Sequence, residues 1–219
     1  MTEACLYLGP KRTEGEDMSF KRALKAVNIW YAHNLSFVWL LTVVPDGVKA
    51  YGLRGWPCFE RAVATLLKDS WMVLDLGAGY EDNDTYEGMR DKCIAGRPAP
   101  CTPMAFRKKL KDLHFTNGAD RSFVLGKFLE TFTEVIGSAK MLDYSNLGWG
   151  DAEARAVAEA LPWCRRAETL SLKLNKIGDE GARAIGEGLK TNSTLKTLGL
   201  GGSEEARSAT RALARLERG

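Results

Sequence analysis

Near its C-terminus the chain nearly repeats itself. GDAEARAVAEAL, Gly150 to Leu161, aligns with GDEGARAIGEGL, Gly178 to Leu189, with seven of twelve residues identical at an offset of 28. The same offset carries Leu142 and Tyr144 onto Leu170 and Leu172, then onto Leu198 and Leu200, and it aligns Arg155 with Arg183 and Arg211. A fixed period of this length marks one supersecondary unit used more than once. In each unit the paired apolar residues two apart read as a strand, and Ala182, Ile185 and Leu189 share one face of a helix. A strand and helix of this size cannot bury their own apolar faces. Two and a half units are therefore expected to lean on the helices that precede them.

Upstream of the repeat, the pattern predicts a partial parallel-sheet α/β layer. Apolar residues at Phe20, Leu24, Val27 and Tyr31 are spaced for one helix over Met18 to Tyr31, and FVWLLTVV, Phe37 to Val44, reads as a buried strand ending at the turn Pro45-Asp46-Gly47. A second helix is expected from about Pro57, carrying Phe59, Val63 and Leu66 inward, before a second buried strand in WMVLDLG, Trp71 to Gly77. The stretch from Tyr80 to Pro100 is polar and rich in Gly and Pro, so it reads as a loop or linker. Thr102-Pro103 then opens a helix with Phe106 and Leu110 on one face. Asp120 is placed to cap a longer helix that carries Val124, Phe128, Phe132 and Val135 to a stop near Gly137. The cluster RKKLK, Arg107 to Lys111, reads as the wet face of the first of these helices. The implied organisation is an α/β segment with its linker over 1–100, bridging helices over 101–138 and the repeats over 139–219.

The overall charge argues against some functions. With 31 basic and 28 acidic residues the net charge is only +3, which gives no footprint for nucleic acid. The longest apolar run is less than half the length that spans a bilayer, and the N-terminus lacks the basic-then-apolar order of a signal peptide, so a soluble, intracellular protein is expected. Five cysteines are scattered without a CxxC pair, and only His33 and His114 accompany them. No metal site and no cofactor are expected from them, and free thiols are the default.

LSLKLNKIGDEGARAIGEGLKTNSTLKTLGL resembles the leucine-rich repeat of the ribonuclease-inhibitor type, whose unit places L-x-L-x-x-N before a helix. Leu170, Leu172 and Asn175 hold those three positions. An Asn there can satisfy backbone groups exposed as the chain leaves the strand. The first copy departs from the pattern, with Leu147 at the Asn position and Asn146 one residue early, and the third has Ser203. The resemblance implies a protein-binding surface on the strand side of a short strand-helix solenoid, with Asp143, Ser171, Lys173 and Gly199 as the outward residues.

A second resemblance lies in YGLRGWPCFERAV, Tyr51 to Val63. Trp56-x-x-x-Glu60 after FVWLLTVV is similar to the W-x-x-x-E segment of Toll/interleukin-1-receptor-like (TIR) domains, and ACLYLG, Ala4 to Gly9, resembles the interior of such domains. In members that cleave NAD the Glu is the catalytic carboxylate, so the resemblance implies Glu60 in that role, stabilising the positive charge that develops on the ribose. A complete domain of this kind opens with a strand and loop that this chain is expected to lack. VLDLGAGYED, Val73 to Asp82, resembles the glycine-rich motif of S-adenosylmethionine-dependent methyltransferases, but Tyr80 to Asp84 stand where a helix should start. The expectation is a non-catalytic interaction or assembly subunit with a protein partner, the alternative being an NAD-cleaving hydrolase built on Glu60.

Overall fold

The computed structural model of the chain describes residues 12–79, 81, 85–94 and 96–200. The ACLYLG segment, Ser203 and Arg211 lie outside them. Thr13 starts the first helix, α1 (Glu14–Lys25): its hydroxyl accepts from the Glu16 N–H while its own N–H donates to the Glu16 carboxylate. The helix expected over Met18 to Tyr31 is two helices, because the backbone leaves helical geometry at Ala26 before α2 (Val27–Ala32). No residue of α1 is buried, and Phe20 packs under the Arg12 guanidinium instead. In α2, Asn28 reaches across to donate to Thr131 Oγ1 at 2.8 Å.

Two short strands, β1 (Val38–Leu40) and β2 (Val73–Asp75), pair in parallel with Val38 opposite Val73. Between them lies α3 (Gly55–Ala64), beginning two residues before the expected Pro57, with Phe59 and Val63 fully buried. The expectation of two buried strands is corrected. Only one face of β1 is inward, through Val38 and Leu40, while Phe37, Trp39, Leu41 and Val43 point out. The alternation of a pleated strand has divided a uniformly apolar run into a buried row and a bare one. In the second run only Met72 and Val73 are buried. The turn at Pro45 is as expected, closed by the Val48 N–H to the Pro45 carbonyl with Gly47 at φ 79°.

The expected linker contains a helix, α4 (Tyr86–Ile94), which packs on β2. Thr85 caps it by accepting from the Gly88 N–H at 3.1 Å. Only Ile94 of this helix is buried, so no apolar periodicity announced it. Two further helices are α5 (Pro103–Leu110), capped by Thr102 and exposing Arg107, Lys108 and Lys109, and α6 (Asp120–Ser138). Asp120 is not the cap of α6 but its first residue, and its carboxylate accepts from Asn117 and from the Trp56 indole. An aromatic spine joins α5 and α6. Phe106 stacks on Phe128 with centroids 3.9 Å apart, and Phe132 meets Trp163 edge-on.

The repeat forms β3 (Met141–Asp143), α7 (Asp151–Ala160), β4 (Thr169–Ser171), α8 (Asp179–Leu189) and β5 (Thr197–Gly199). The three strands make one parallel sheet in the order β3-β4-β5. Leu142 faces Leu170, which faces Leu198, so the pairing register equals the sequence period of 28. One apolar core runs from Val27 on α2 to Leu198 on β5. Two buried hydrogen bonds cross from the repeat to the upstream half: Tyr144 Oη donates to the Leu66 carbonyl at 2.7 Å, and Trp149 Nε1 to the Arg97 carbonyl at 2.8 Å.

Candidate functional site

The strand side of β3-β4-β5 presents two outward rows. Met141, Thr169 and Thr197 form one, and Asp143, Ser171 and Gly199 form the other, each set brought side by side by the register. Three of the four expected binding residues thus fall in a single row, with Lys173 beside its end. They are not equally free to bind. Ser171 Oγ lies 2.7 Å from Ser145 Oγ, and Asp143 Oδ1 accepts from the Ser145 N–H. Lys173 lies across Gly199, where an added Cβ would sit 2.9 Å from Lys173 Cε. Asp143, Lys173, Met141 and Thr197 are the exposed members, which makes a small, mixed surface with one apolar side chain.

Behind this row the turn leaving β4 is built around Asn175. Its Nδ2 donates to the carbonyls of Tyr144 (2.7 Å) and Leu172 (3.0 Å), and its Oδ1 accepts from the N–H groups of Leu147 and Trp149, both at 3.0 Å. One side chain therefore satisfies backbone groups of two successive units. The preceding residue, Leu174, has φ 58° and is 77% exposed, and Asn146, 28 positions earlier, has φ 56°. The turn takes a left-handed residue in both copies that the described residues include. Asn tolerates that conformation, whereas Leu is strained by it.

Glu60 lies elsewhere, on α3. Its carboxylate stands near the Tyr31 hydroxyl and Arg54. Burial raises its pKa above the usual carboxylate range, opposed by Tyr31 and then Arg54. The same carboxylate helps to raise Tyr31 and Tyr51, both lifted chiefly by burial and Tyr51 to about 12. Glu60 is thus neither on a solvated helix face nor a free carboxylate. Trp56, the other fixed point of that motif, donates to Asp120 at 2.9 Å and packs edge-on to Phe59, tying α3 to α6. In the glycine-rich turn after β2, Asp75 Oδ1 accepts from Thr42 Oγ1 and the Gly77 N–H. Among the described residues the next helix begins at Tyr86.

Two cations are buried where α3 ends. Arg97, 4% exposed, donates through Nη2 to the Thr65 carbonyl at 2.9 Å, and its Nε and Nη1 have no hydrogen-bond partner among the described residues. Lys68, 1% exposed, donates to the His33 carbonyl and to Ser36 Oγ. Burial lowers the Lys68 ammonium to about 8, with the Arg97 charge adding to the effect, and lowers Arg97 to about 10. The helix end supplies the compensating negative pole: Thr65 and Leu66 offer C-terminal carbonyls, which Arg97 and Tyr144 take up. This is a structural clasp holding the end of α3 to the loop after α4 and to the repeat.

A depression of about 610 Å³ lies at the far end of α8, lined by residues that include Lys190, Asn192 and Lys196. The Asn192 amide is already engaged, donating to the Leu161 and Cys164 carbonyls and accepting from the Thr194 and Leu195 N–H groups. Cys58, Cys93, Cys101 and Cys164 are free, and burial pushes Cys101 up to about 11, so it is a poor nucleophile. Among the described residues no three His, Cys, Asp or Glu side chains gather as a metal set, and no helix is long and apolar enough to cross a membrane. Comparison with known protein families, with curated proteins and with solved structures finds no match.

Proposed function

We propose that this chain is a non-catalytic interaction or assembly subunit, acting inside the cell on a protein partner rather than on nucleic acid. In this reading residues 139–200 belong to a leucine-rich repeat of the ribonuclease-inhibitor type, and the first half derives from a TIR-like layer. The observation that carries the interaction reading is the outward row of Asp143, Ser171 and Gly199 with Lys173 beside it, in which Asp143 and Lys173 are exposed. Repeat arrays use such a strand face as a recognition surface. The Asn175 turn and the register of 28 support the repeat assignment.

The test is cross-linking of the chain in extract of its own source, with Asp143→Lys and Lys173→Glu beside the unaltered protein. Loss of the same cross-linked partner in both variants, at unchanged melting temperature, is the expected result. An identical cross-link pattern in all three proteins defeats the assignment of this surface. The alternative, NAD cleavage by Glu60, is tested by NAD consumption with Glu60→Gln alongside. The expected outcome is no turnover in either protein, because burial disfavours the charged carboxylate that would stabilise a developing positive charge.

A further inference from the structure

On the sheet of the first half, β1 and the residues flanking it have a bare side. Phe37, Trp39, Leu41 and Val43 are 56%, 67%, 68% and 76% exposed, alternating with the buried Val38 and Leu40. Trp71, 48% exposed, extends this row by meeting Phe37 edge-on at 5.3 Å. Parallel sheets are ordinarily covered on both faces, because the crossover helices supply both layers. Here α4 packs on β2, and the outward side of β1 stays uncovered among the described residues.

We propose that this face is an interface between two copies of the chain. The inference rests on the assembly reading, whose partner it names, but it uses a surface separate from the β3-β4-β5 row. Two arguments select a second copy. The five side chains expose on the order of 600 Å² of apolar surface, the upper end of what a monomer leaves bare and, with a polar rim, close to the roughly 800 Å² per partner of a standard stable interface. The five are also all uncharged, so nothing in them specifies a complementary foreign surface. A two-fold contact needs only that the patch fit itself, and Trp39 and Trp71 are the residue type that anchors such contacts.

The test is sedimentation velocity of the full chain across micromolar concentrations, with Trp39→Glu and Leu41→Lys compared with the unaltered protein. Both side chains are exposed in the single chain, so retained far-ultraviolet dichroism and melting temperature separate a lost contact from a lost fold. The expected result is a dimer that each variant weakens at least about tenfold, with Trp39 protected from an aqueous quencher only in the dimer. A monomer at every concentration overturns the proposal, as does a dimer that neither variant weakens. Monomers that bind lipid vesicles through Trp39 overturn it in favour of a membrane surface, and a monomer with Trp39 already shielded overturns it in favour of cover from within the chain. A monomer would leave the surface at Asp143 and Lys173 to be judged by its own cross-linking test, so the two readings fail separately.

Discussion

At the scale of single residues, the two polar side chains that stand out, Glu60 and Asn175, act on stability in opposite senses. Glu60 has a folded pKa raised by burial. A raised carboxyl binds its proton more tightly in the folded state, so the stability it contributes is present below its ordinary value of 4.5 and is lost as pH rises through the folded value. Glu60→Gln, which keeps an acceptor for Tyr31, is therefore expected to match or exceed the unaltered protein in melting temperature at pH 7. The difference should vanish in acid, and melts at a series of pH values check both limbs. Asn175 works the other way. Asn175→Ala strips partners from four backbone groups of the turn, and urea titration should show a loss of about 2–4 kcal/mol. The Asn175 role was legible from L-x-L-x-x-N. The environment of Glu60 was not, because its partner Tyr31 lies on another helix and nothing in a local motif records a contact across elements.

At the scale of elements, the two repeat helices meet where their side chains are smallest. A Cβ at Gly181 would lie 2.6 Å from Asp151 Oδ1, 2.8 Å from Ile177 Cγ2 and 2.9 Å from Ala154 Cβ. The glycine serves close approach, and the same Asp151 Oδ1 accepts from the N–H groups of Gly178 (2.7 Å) and Gly181 (3.0 Å) at the start of α8. In the first unit Glu153 performs the equivalent service for the Gly150 N–H, but Gly181 occupies that position in the second and has no side chain to offer. Asp151 of the preceding helix substitutes for it. Gly181→Ala would gain about 1 kcal/mol of helix propensity in isolation. In this chain it is expected to lose about 1–3 kcal/mol by crowding α7 against α8 and displacing the Asp151 cap, measured by chemical denaturation. The strand-helix alternation was readable because Leu142, Leu170 and Leu198 recur at one period. The helix α4 was not, with Ile94 its only buried residue, and the Asp151 cap was not, because it acts across a repeat boundary.

At the scale of the whole molecule, the core is continuous from α2 to β5, and Arg97, Tyr144 and Trp149 join its upstream and repeat parts through buried hydrogen bonds. The expected outcome is one cooperative unfolding transition, with Trp fluorescence and helical dichroism coincident. Tyr144→Phe should lower its midpoint by an amount corresponding to about 1 kcal/mol without splitting it. Two separate transitions would show that the repeat is stable without its neighbour. The mixed α/β class could be read from the sequence. The buried Lys68 and Arg97 could not, since the carbonyls that hold them, of His33 and Thr65, each lie more than thirty residues away in sequence. The equality of strand register and sequence period has a further consequence, for how this chain tolerates changes in length. An insertion of one whole 28-residue unit between α7 and β4 offers each new leucine an existing row to join. A slip of β4 by one residue against β3 would turn Leu170 to water and bring Thr169 or Ser171 inward. Added residues are therefore tolerated where the loop after α7 takes them up, and not where they shift the strand itself.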